Sequence, residues 1–250
     1  MIKLDILVLS GYKSDRGLLR ENNEDSYFVN DKVGVYVLAD GLGGYKGGEI
    51  ASNIAVNTLG KILSNFLENS QEKNIQDIVH KALQEANDQI ILVRISDIEL
   101  TNMATTVVLS IFFNNILYYS HLGDSRAYLY KKEGKLIQLT TDDSLVMEMV
   151  KRGMINEDEL RTHNLRNIVT KYLGLTDLVL PEVLHCYVGI DDCIILCSDG
   201  LTSMLEEKEI LSIVKRDISM GPQSICDTLV DKANNNGGYD NITVIVVQNK

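Results

Sequence analysis

Proline is nearly absent from this chain, whose 250 residues include only Pro181 and Pro222. No stretch rich in proline and serine divides the sequence, and no internal repeat is visible. A length of 250 residues fits one large domain or two small ones. We therefore expect a single domain spanning residues 1–250.

Cysteine is also scarce, with four residues in the chain. Cys193 and Cys197 flank Ile194, Ile195 and Leu196, and the two-residue period of a strand places both thiols on the same face as Ile195. Buried free cysteines that pack as small hydrophobes are expected, because a zinc site needs Cys or His pairs at tighter spacing. This usage is typical of a reducing compartment, so we expect a cytoplasmic protein.

The sequence lacks long apolar runs and an excess of positive charge. No run approaches the 18 residues of a membrane helix, and the start, Met1 to Asp5, lacks the apolar core of a signal peptide. The net charge of −11 argues against nucleic-acid binding, which needs a basic surface. Clustered carboxylates, in contrast, attract divalent cations.

The order of hydrophobic patterns predicts an α+β fold with antiparallel sheets, because strands follow one another in hairpins and are interrupted by pairs of helices. Asn114-Asn115 is expected to form a hairpin turn. The predicted strands are 5–11, 26–30, 33–39, 105–113, 116–121, 127–131, 135–139, 183–188, 193–197 and 242–248. The predicted helices are 50–67, 75–90, 144–152, a start at 156–159, 206–216 and 222–234.

Five aspartates occur in short contexts, most of them beside glycine: Asp25, Asp40, Asp124, Asp199 and Asp240. Three of them follow strand-like runs directly, so their carboxylates can converge at one edge of a sheet. A single such residue is usually a turn or cap residue, but five are difficult to explain in that way. A cluster rich in carboxylates and poor in histidine selects Mg²⁺ or Mn²⁺ over zinc.

The order of the motifs resembles the metal-dependent type 2C protein serine/threonine phosphatases, and bacterial members most of all. The resemblance covers residues 10 to 247. The motifs that carry it are Gly17–Asp25, Ala39–Gly44, Gly48–Ser52, Met103–Thr106, His121–Arg126, Gln138–Ser144, Asn167–Gly174, Cys197–Leu201 and Asp240–Thr243.

The resemblance implies two antiparallel sheets that form a central sandwich flanked by pairs of helices. It also implies hydrolysis of phosphoserine and phosphothreonine by a water that bridges two Mn²⁺ or Mg²⁺ ions, with a weaker third ion. The expected partners are phosphorylated proteins and a bacterial serine/threonine kinase that the enzyme opposes. A monomer is expected, with a flap around residues 145–170.

The same resemblance implies roles for individual residues. Asp40 would bridge the two ions, helped by the Gly41 carbonyl, and Asp199 and Asp240 would complete the site. Asp124 would bind the third ion. The expected catalytic residues are Arg20, which would hold the substrate phosphate, and Glu24 and Asp25, which would orient water.

The sequence also allows purely structural roles for several of these residues. Asp124 could be a turn residue paired with Arg126, and Asp240-Asn241 could form a simple Asx turn. Arg20 could belong to a surface salt bridge. Thr105 and Thr106 are expected to be core strand residues.

The sequence departs from the family pattern at several positions. Leu42 stands where some members have a histidine that can act as a general acid, so a metal-activated water is the expected substitute. His163 lies in a variable stretch and is expected to be exposed. Asp143, Ala104 and Tyr239 also differ from the usual residues.

Three rival functions remain: an inactive homologue that acts as a binding module, a phosphatase of a sigma-factor regulatory protein, and a structural Ca²⁺-binding domain. The first would have lost ligands, whereas Asp40, Asp199 and Asp240 are all present. The second differs from the main hypothesis in its partner and not in its chemistry. The third would need a compact loop of closely spaced acids, which the sequence lacks.

Overall fold

A computed structural model describes residues 8–42, 47–69, 74–113 and 116–250 of the chain. Three features expected from the sequence therefore fall outside the described residues. They are the first residues of the strand predicted at 5–11, the glycines at 43 and 44, and the turn at Asn114-Asn115.

Eleven strands and six α-helices occur within the described residues. The strands are β1 (Val8–Asp15), β2 (Asp25–Asn30), β3 (Val35–Leu42), β4 (Ala104–Thr105), β5 (Val107–Phe113), β6 (Ile116–Leu122), β7 (Arg126–Lys131), β8 (Lys135–Gln138), β9 (Leu184–Tyr187), β10 (Cys193–Cys197) and β11 (Ile242–Asn249). The helices are α1 (Gly47–Asn69), α2 (Ile75–Ser96), α3 (Leu145–Lys151), α4 (Asp199–Met204), α5 (Glu207–Asp217) and α6 (Pro222–Asn235).

The strands form two antiparallel sheets. One has the order β1-β11-β10-β7-β8, and the other has the order β2-β3-β5-β6-β9, with β4 paired to β3. Helices α1 and α2 pack on the second sheet, and α4, α5 and α6 pack on the first. A third apolar cluster fills the space between the sheets. The α+β sandwich with helices on both sides is confirmed.

The two-residue period of the strands produces these three cores. In β10, Cys193, Ile195 and Cys197 face the helices, whereas Ile194 and Leu196 face the other sheet. All four cysteines are free thiols, and three of them are buried. A strand buried on both faces needs apolar residues at every position, which explains the unbroken apolar run.

Several boundaries differ from the sequence predictions. Strand β3 continues through Asp40 to Leu42, because Gly41 and Leu42 pair with Thr105 and Ala104. The strand predicted at 105–113 is interrupted at Thr106. The helix predicted to start at 156–159 is a single 3₁₀ turn closed by a capping box. Helix α4 was not predicted.

No helix in the described ranges is both long and apolar enough to cross a membrane.

Candidate active site

The five aspartates lie together at one end of the sandwich, where elements of both sheets meet. Asp25 begins β2, Asp40 lies in β3, and Asp124 lies in the turn between β6 and β7. Asp199 is the first residue of α4, and Asp240 lies two residues before β11. Burial raises the pKa of Asp40, and repulsion from each of the other four carboxylates adds to this shift, so all five lie close together.

Asp25 and Asp40 stand directly opposite each other on neighbouring strands. Opposed residues have Cβ atoms about 5 Å apart, so two negative charges in this arrangement destabilise the sheet. Asp25 is buried, and its Oδ2 accepts a hydrogen bond from Ser198 Oγ at 2.8 Å. Its Oδ1 has no partner among the described residues. Burial, followed by repulsion from Asp199 and Asp240, raises the pKa of Asp25 to about 7.

Asp124 and Asp199 also have raised pKa values. Burial is the main cause that raises the pKa of Asp124 to about 8 and that of Asp199 to about 6. Repulsion from Asp199 adds to the first shift, and repulsion from Asp240 adds to the second. Asp199 is also within hydrogen-bond distance of Asp40. Two carboxyl groups this close share a proton unless a cation lies between them.

The residues present fit hard divalent cations. Asp40, Asp124 and Asp199 are half-buried, so protein surrounds them while one side stays open. Within the described ranges, no three His, Cys, Asp or Glu side chains already form a complete ligand set around one point. A partial set is suitable for Mg²⁺, which keeps several water ligands. The unpaired Oδ1 of Asp25 and the mutual repulsion of the carboxylates both suit a divalent cation.

Arg20 and Asp240 form an ion pair at the rim of this cluster. Arg20 Nη2 donates to Asp240 Oδ2 at 2.7 Å, and about half of the arginine side chain is exposed. Asp240 Oδ1 accepts the backbone N–H of Asn241 at 2.8 Å. The salt bridge considered for Arg20 is therefore present and holds it beside the acids, whereas the contact of Asp240 with the next residue is not the i to i+2 hydrogen bond of an Asx turn.

Arg126 does not hydrogen-bond to Asp124. It donates from Nε and Nη2 to the two carboxylate oxygens of Asp142, each at 2.7 Å. This bidentate geometry is the strong form of an arginine–carboxylate pair. The pairing of Asp124 with Arg126 is therefore wrong as an explanation of Asp124.

Glu24 and Gly41 are joined through the backbone. The Glu24 carbonyl accepts hydrogen bonds from the Gly41 N–H at 3.2 Å and from Ser52 Oγ at 2.6 Å. A Cβ at position 41 would collide with the backbone of Gly48 and Glu24, so only glycine fits there. Burial raises the pKa of Glu24.

Three residues support the cluster in ways that the motifs alone do not show. Asn241 accepts the Glu24 N–H through Oδ1 at 2.8 Å, and its Nδ2 donates to the carbonyls of Arg16 and Asn22. Thr105 Oγ1 donates to the Asp40 carbonyl at 2.8 Å, and Thr106 Oγ1 accepts the Asp40 N–H at 3.0 Å. Thr105 is a core strand residue as predicted, whereas Thr106 is buried in the break between β4 and β5, and the hydroxyls of both also hold Asp40. In the sequence, the position of Asn241 directly after Asp240 is the signal that could have identified it as a supporting residue.

The departures from the family pattern also have defined positions. Leu42 ends β3 and pairs with Ala104. Asp143 accepts a hydrogen bond from Lys171 at 2.6 Å and contacts the N–H of Gly123 at 3.3 Å, next to Asp124. The ring of His163 accepts the N–H of Leu165, so this histidine caps its own loop.

Comparison with known proteins agrees with this geometry. The family model described as protein phosphatase 2C matches residues 19–221. The chain belongs to the protein phosphatase 2C family. It is 35% identical over 240 residues to the serine/threonine phosphatase stp of Listeria welshimeri, and the match covers 95% of this chain and 94% of the relative.

Solved structures of serine/threonine phosphatases also superpose closely on this chain. The serine/threonine phosphatase Stp1 from Staphylococcus aureus superposes with a TM-score of 0.89 at 28% identity, covering 100% of this chain and 98% of that one. The catalytic domain of PstP, in complex with two manganese ions, superposes with a TM-score of 0.84 at 29% identity, covering 96% and 97%. The chain is thus a protein serine/threonine phosphatase of a metal-dependent family, and the inactive-homologue alternative is not favoured.

Proposed function

We propose that this phosphatase hydrolyses phosphoserine and phosphothreonine at the cluster of Asp25, Asp40, Asp124, Asp199 and Asp240. The observation that supports this most directly is the convergence of five carboxylates at one end of the sandwich, where burial and repulsion from the other four raise the pKa of Asp40. In a member of this family, such a cluster is suited to hold Mn²⁺ or Mg²⁺.

In this proposal, Asp40, Asp199 and Asp240 hold two ions, with the Gly41 carbonyl as a further ligand. Asp124 would hold a weaker third ion, together with Asp199. Such ions would polarise the phosphoryl group and activate water for direct attack on phosphorus. The hydroxyls of Thr105 and Thr106 fix the backbone of Asp40, and the side-chain amide of Asn241 fixes the backbone of Glu24.

Arg20 would bind the substrate phosphate. Its guanidinium has five N–H donors in a planar fork, and Asp240 accepts from only one nitrogen. Glu24 and Asp25 would orient water, and the unpaired Asp25 Oδ1 is the atom suited to accept its proton. With Leu42 in place of a histidine, side-chain carboxyls and water must supply the proton for the leaving serine or threonine oxygen.

The cellular setting is part of the same proposal. The substrates would be cytoplasmic phosphoproteins, in opposition to a serine/threonine kinase, and the enzyme would act as a monomer built from one domain. Four free thiols fit a reducing compartment. The segment around 145–170 would act as a flap, since its Arg161 donates to the carbonyls of Thr202 and Ser203 in α4, the helix that begins with Asp199.

The test is hydrolysis of p-nitrophenyl phosphate and of a phosphothreonine peptide by the purified protein with and without Mn²⁺. EDTA should abolish both activities, and excess Mn²⁺ or Mg²⁺ should restore them. Asp199→Asn should lose activity at every metal concentration, whereas Lys208→Ala, on the exposed face of α5, should match the wild type. Full activity of Asp199→Asn would contradict the assigned role.

A further inference from the structure

Three large apolar side chains beside Arg20 are exposed. Leu18 is 63% exposed, Leu19 is 66% exposed and Tyr239 is 60% exposed. Single exposed apolar residues are common on protein surfaces, but several together next to a functional group mark a binding surface.

One backbone hydrogen bond and one ion pair hold the two segments that carry these residues side by side. The Leu18 N–H donates to the Gly238 carbonyl at 2.7 Å, and Arg20 donates to Asp240 at 2.7 Å. Tyr239 lies between these two links in the sequence. The residues on either side of Tyr239 are therefore tied to the segment that carries Leu18, Leu19 and Arg20.

Two glycines leave space for the side chains of Leu18 and Tyr239. Gly237 and Gly238 both have positive φ angles, +136° and +53°. A Cβ on Gly237 would come within 2.9–3.2 Å of the Tyr239 ring, and a Cβ on Gly238 would lie 2.9 Å from Leu18 Cγ. Leu18 and Tyr239 therefore pack against the same turn, and we call this surface the Leu18–Tyr239 face.

The Leu18–Tyr239 face continues into the proposed phosphate site. Tyr239 adjoins Asp240, and consecutive Cα atoms are about 3.8 Å apart. An extended polypeptide advances about 3.3 Å per residue. A substrate whose phosphate is held by Arg20 thus brings a side chain one to three positions away onto this face.

We infer that the Leu18–Tyr239 face binds an apolar side chain of the substrate beside the phosphorylated residue. The enzyme therefore selects phosphoproteins with a leucine or aromatic residue within three positions of the phosphoserine or phosphothreonine. This inference rests on the proposed role of Arg20. The continuity of the face with the ion pair of Arg20 and Asp240 identifies the substrate chain as its occupant.

The experiment uses two phosphothreonine peptides that differ only in the flanking residues, which are Phe and Leu in one and Ser in the other. The wild type with Mn²⁺ should show a kcat/KM about tenfold higher for the apolar peptide, mainly through KM, as is typical of a partly buried apolar contact. Tyr239→Ser and Leu18→Ser should reduce this ratio towards one. Tyr239→Phe should keep it, because the ring remains.

The control is Tyr187→Ser, which removes a tyrosine that is 66% exposed on β9 and should leave the ratio unchanged. Equal kcat/KM values for both peptides in the wild type would overturn the inference, as would a ratio that survives in Tyr239→Ser and Leu18→Ser. Failure of the proposed function looks different, because the wild type would then not hydrolyse p-nitrophenyl phosphate with Mn²⁺ at all.

Discussion

Strand β10 has an aspartate close to each of its ends, and the two differ in what neutralises them. Asp192, before the strand, is buried and accepts hydrogen bonds from Lys131 Nζ at 2.6 Å and from the N–H groups of Gly189 and Lys132. Asp199, after the strand, faces other carboxylates, and no lysine or arginine within the described ranges hydrogen-bonds to it. Lys131 thus neutralises Asp192 at one end of β10, whereas Asp199 at the other end has no such hydrogen-bonded partner among the described lysines and arginines.

Asp217 shows what a structural acid requires in this protein. It is buried at the end of α5, and it accepts two hydrogen bonds from Arg216 and one from Thr228. The hydrogen bonds from Arg216 are the main cause that lowers its pKa. Four acids of the cluster, Asp25, Asp40, Asp124 and Asp199, shift the opposite way, with pKa values raised mainly by burial. Such shifts are typical of sites where function sets the charge.

The comparison predicts the largest effect for Asp40→Asn. Loss of the central carboxylate should lower kcat/KM by about 100-fold or more, because even residues that only support metal ligands often cost 10- to 100-fold. The same substitution removes repulsion, so the protein in EDTA should be at least as stable as the wild type. Kinetics with Mn²⁺ and thermal unfolding in EDTA measure the two effects. A clear loss of stability in EDTA would break the contrast.

Asp192→Ala tests the other end of β10. The substitution removes a buried acceptor that serves the N–H groups of Gly189 and Lys132 and the ammonium of Lys131, so we expect a loss of about 1–3 kcal/mol in the free energy of unfolding. Catalysis should be unaffected in the folded fraction, because Asp192 lies at the far end of the strand. Urea unfolding and kcat measured below the transition decide this. A variant as stable as the wild type would show that this pairing contributes little.

The pH dependence of the metal-free protein tests the contrast without mutation. The pKa values of about 6 to 8 at Asp199, Asp25 and Asp124 lie above the ordinary value near 3.9 of the unfolded chain. The folded state therefore holds protons more tightly, and the resulting stabilisation, complete below about pH 4, is lost as the pH rises through 6 to 8. In EDTA the melting temperature should fall by about 4–8 °C between pH 5 and pH 8, equivalent to about 2 kcal/mol.

Mn²⁺ should reverse this trend. Carboxylates must lose their protons to bind a cation, so the gain in melting temperature on adding Mn²⁺ should be larger at pH 8 than at pH 5. Asp40→Asn serves as the control and should flatten both dependences. A metal-free protein whose stability rises over this pH range would contradict the raised pKa values.

The sequence predicted the layers of the fold better than the contacts inside the site. Periodicity is a local property, so β10 and its two faces followed from Cys193–Cys197 alone. The opposition of Asp25 and Asp40 depends on the register between strands, and the partner of Arg126 lies 16 residues away. Helix α4 has only six residues, too few to show a helical period. The roles assigned to the acids stay predictions.

The smallest expected effect concerns the hydrogen bond to the Asp40 backbone from Thr106, the residue directly before β5. Thr106 is fully buried, and its Oγ1 accepts the Asp40 N–H and shares a hydrogen bond with Ser125 Oγ at 2.8 Å. Thr106→Val keeps the shape of the side chain but leaves the Asp40 N–H and the Ser125 hydroxyl without this partner. We therefore expect a loss of about 1–2 kcal/mol in the free energy of unfolding. The Mn²⁺ concentration for half-maximal activity should rise by about tenfold.

Ser110→Ala is the matched control for this substitution. Ser110 lies in β5 and is equally buried, but its Oγ has no partner among the described residues. Removal of an unsatisfied hydroxyl should leave stability unchanged or raise it, and Mn²⁺ activation should stay as in the wild type. If both variants changed Mn²⁺ activation equally, general packing of β5 would be the cause. A tenfold shift in Thr106→Val alone would show that one hydroxyl positions the carboxylate through its backbone.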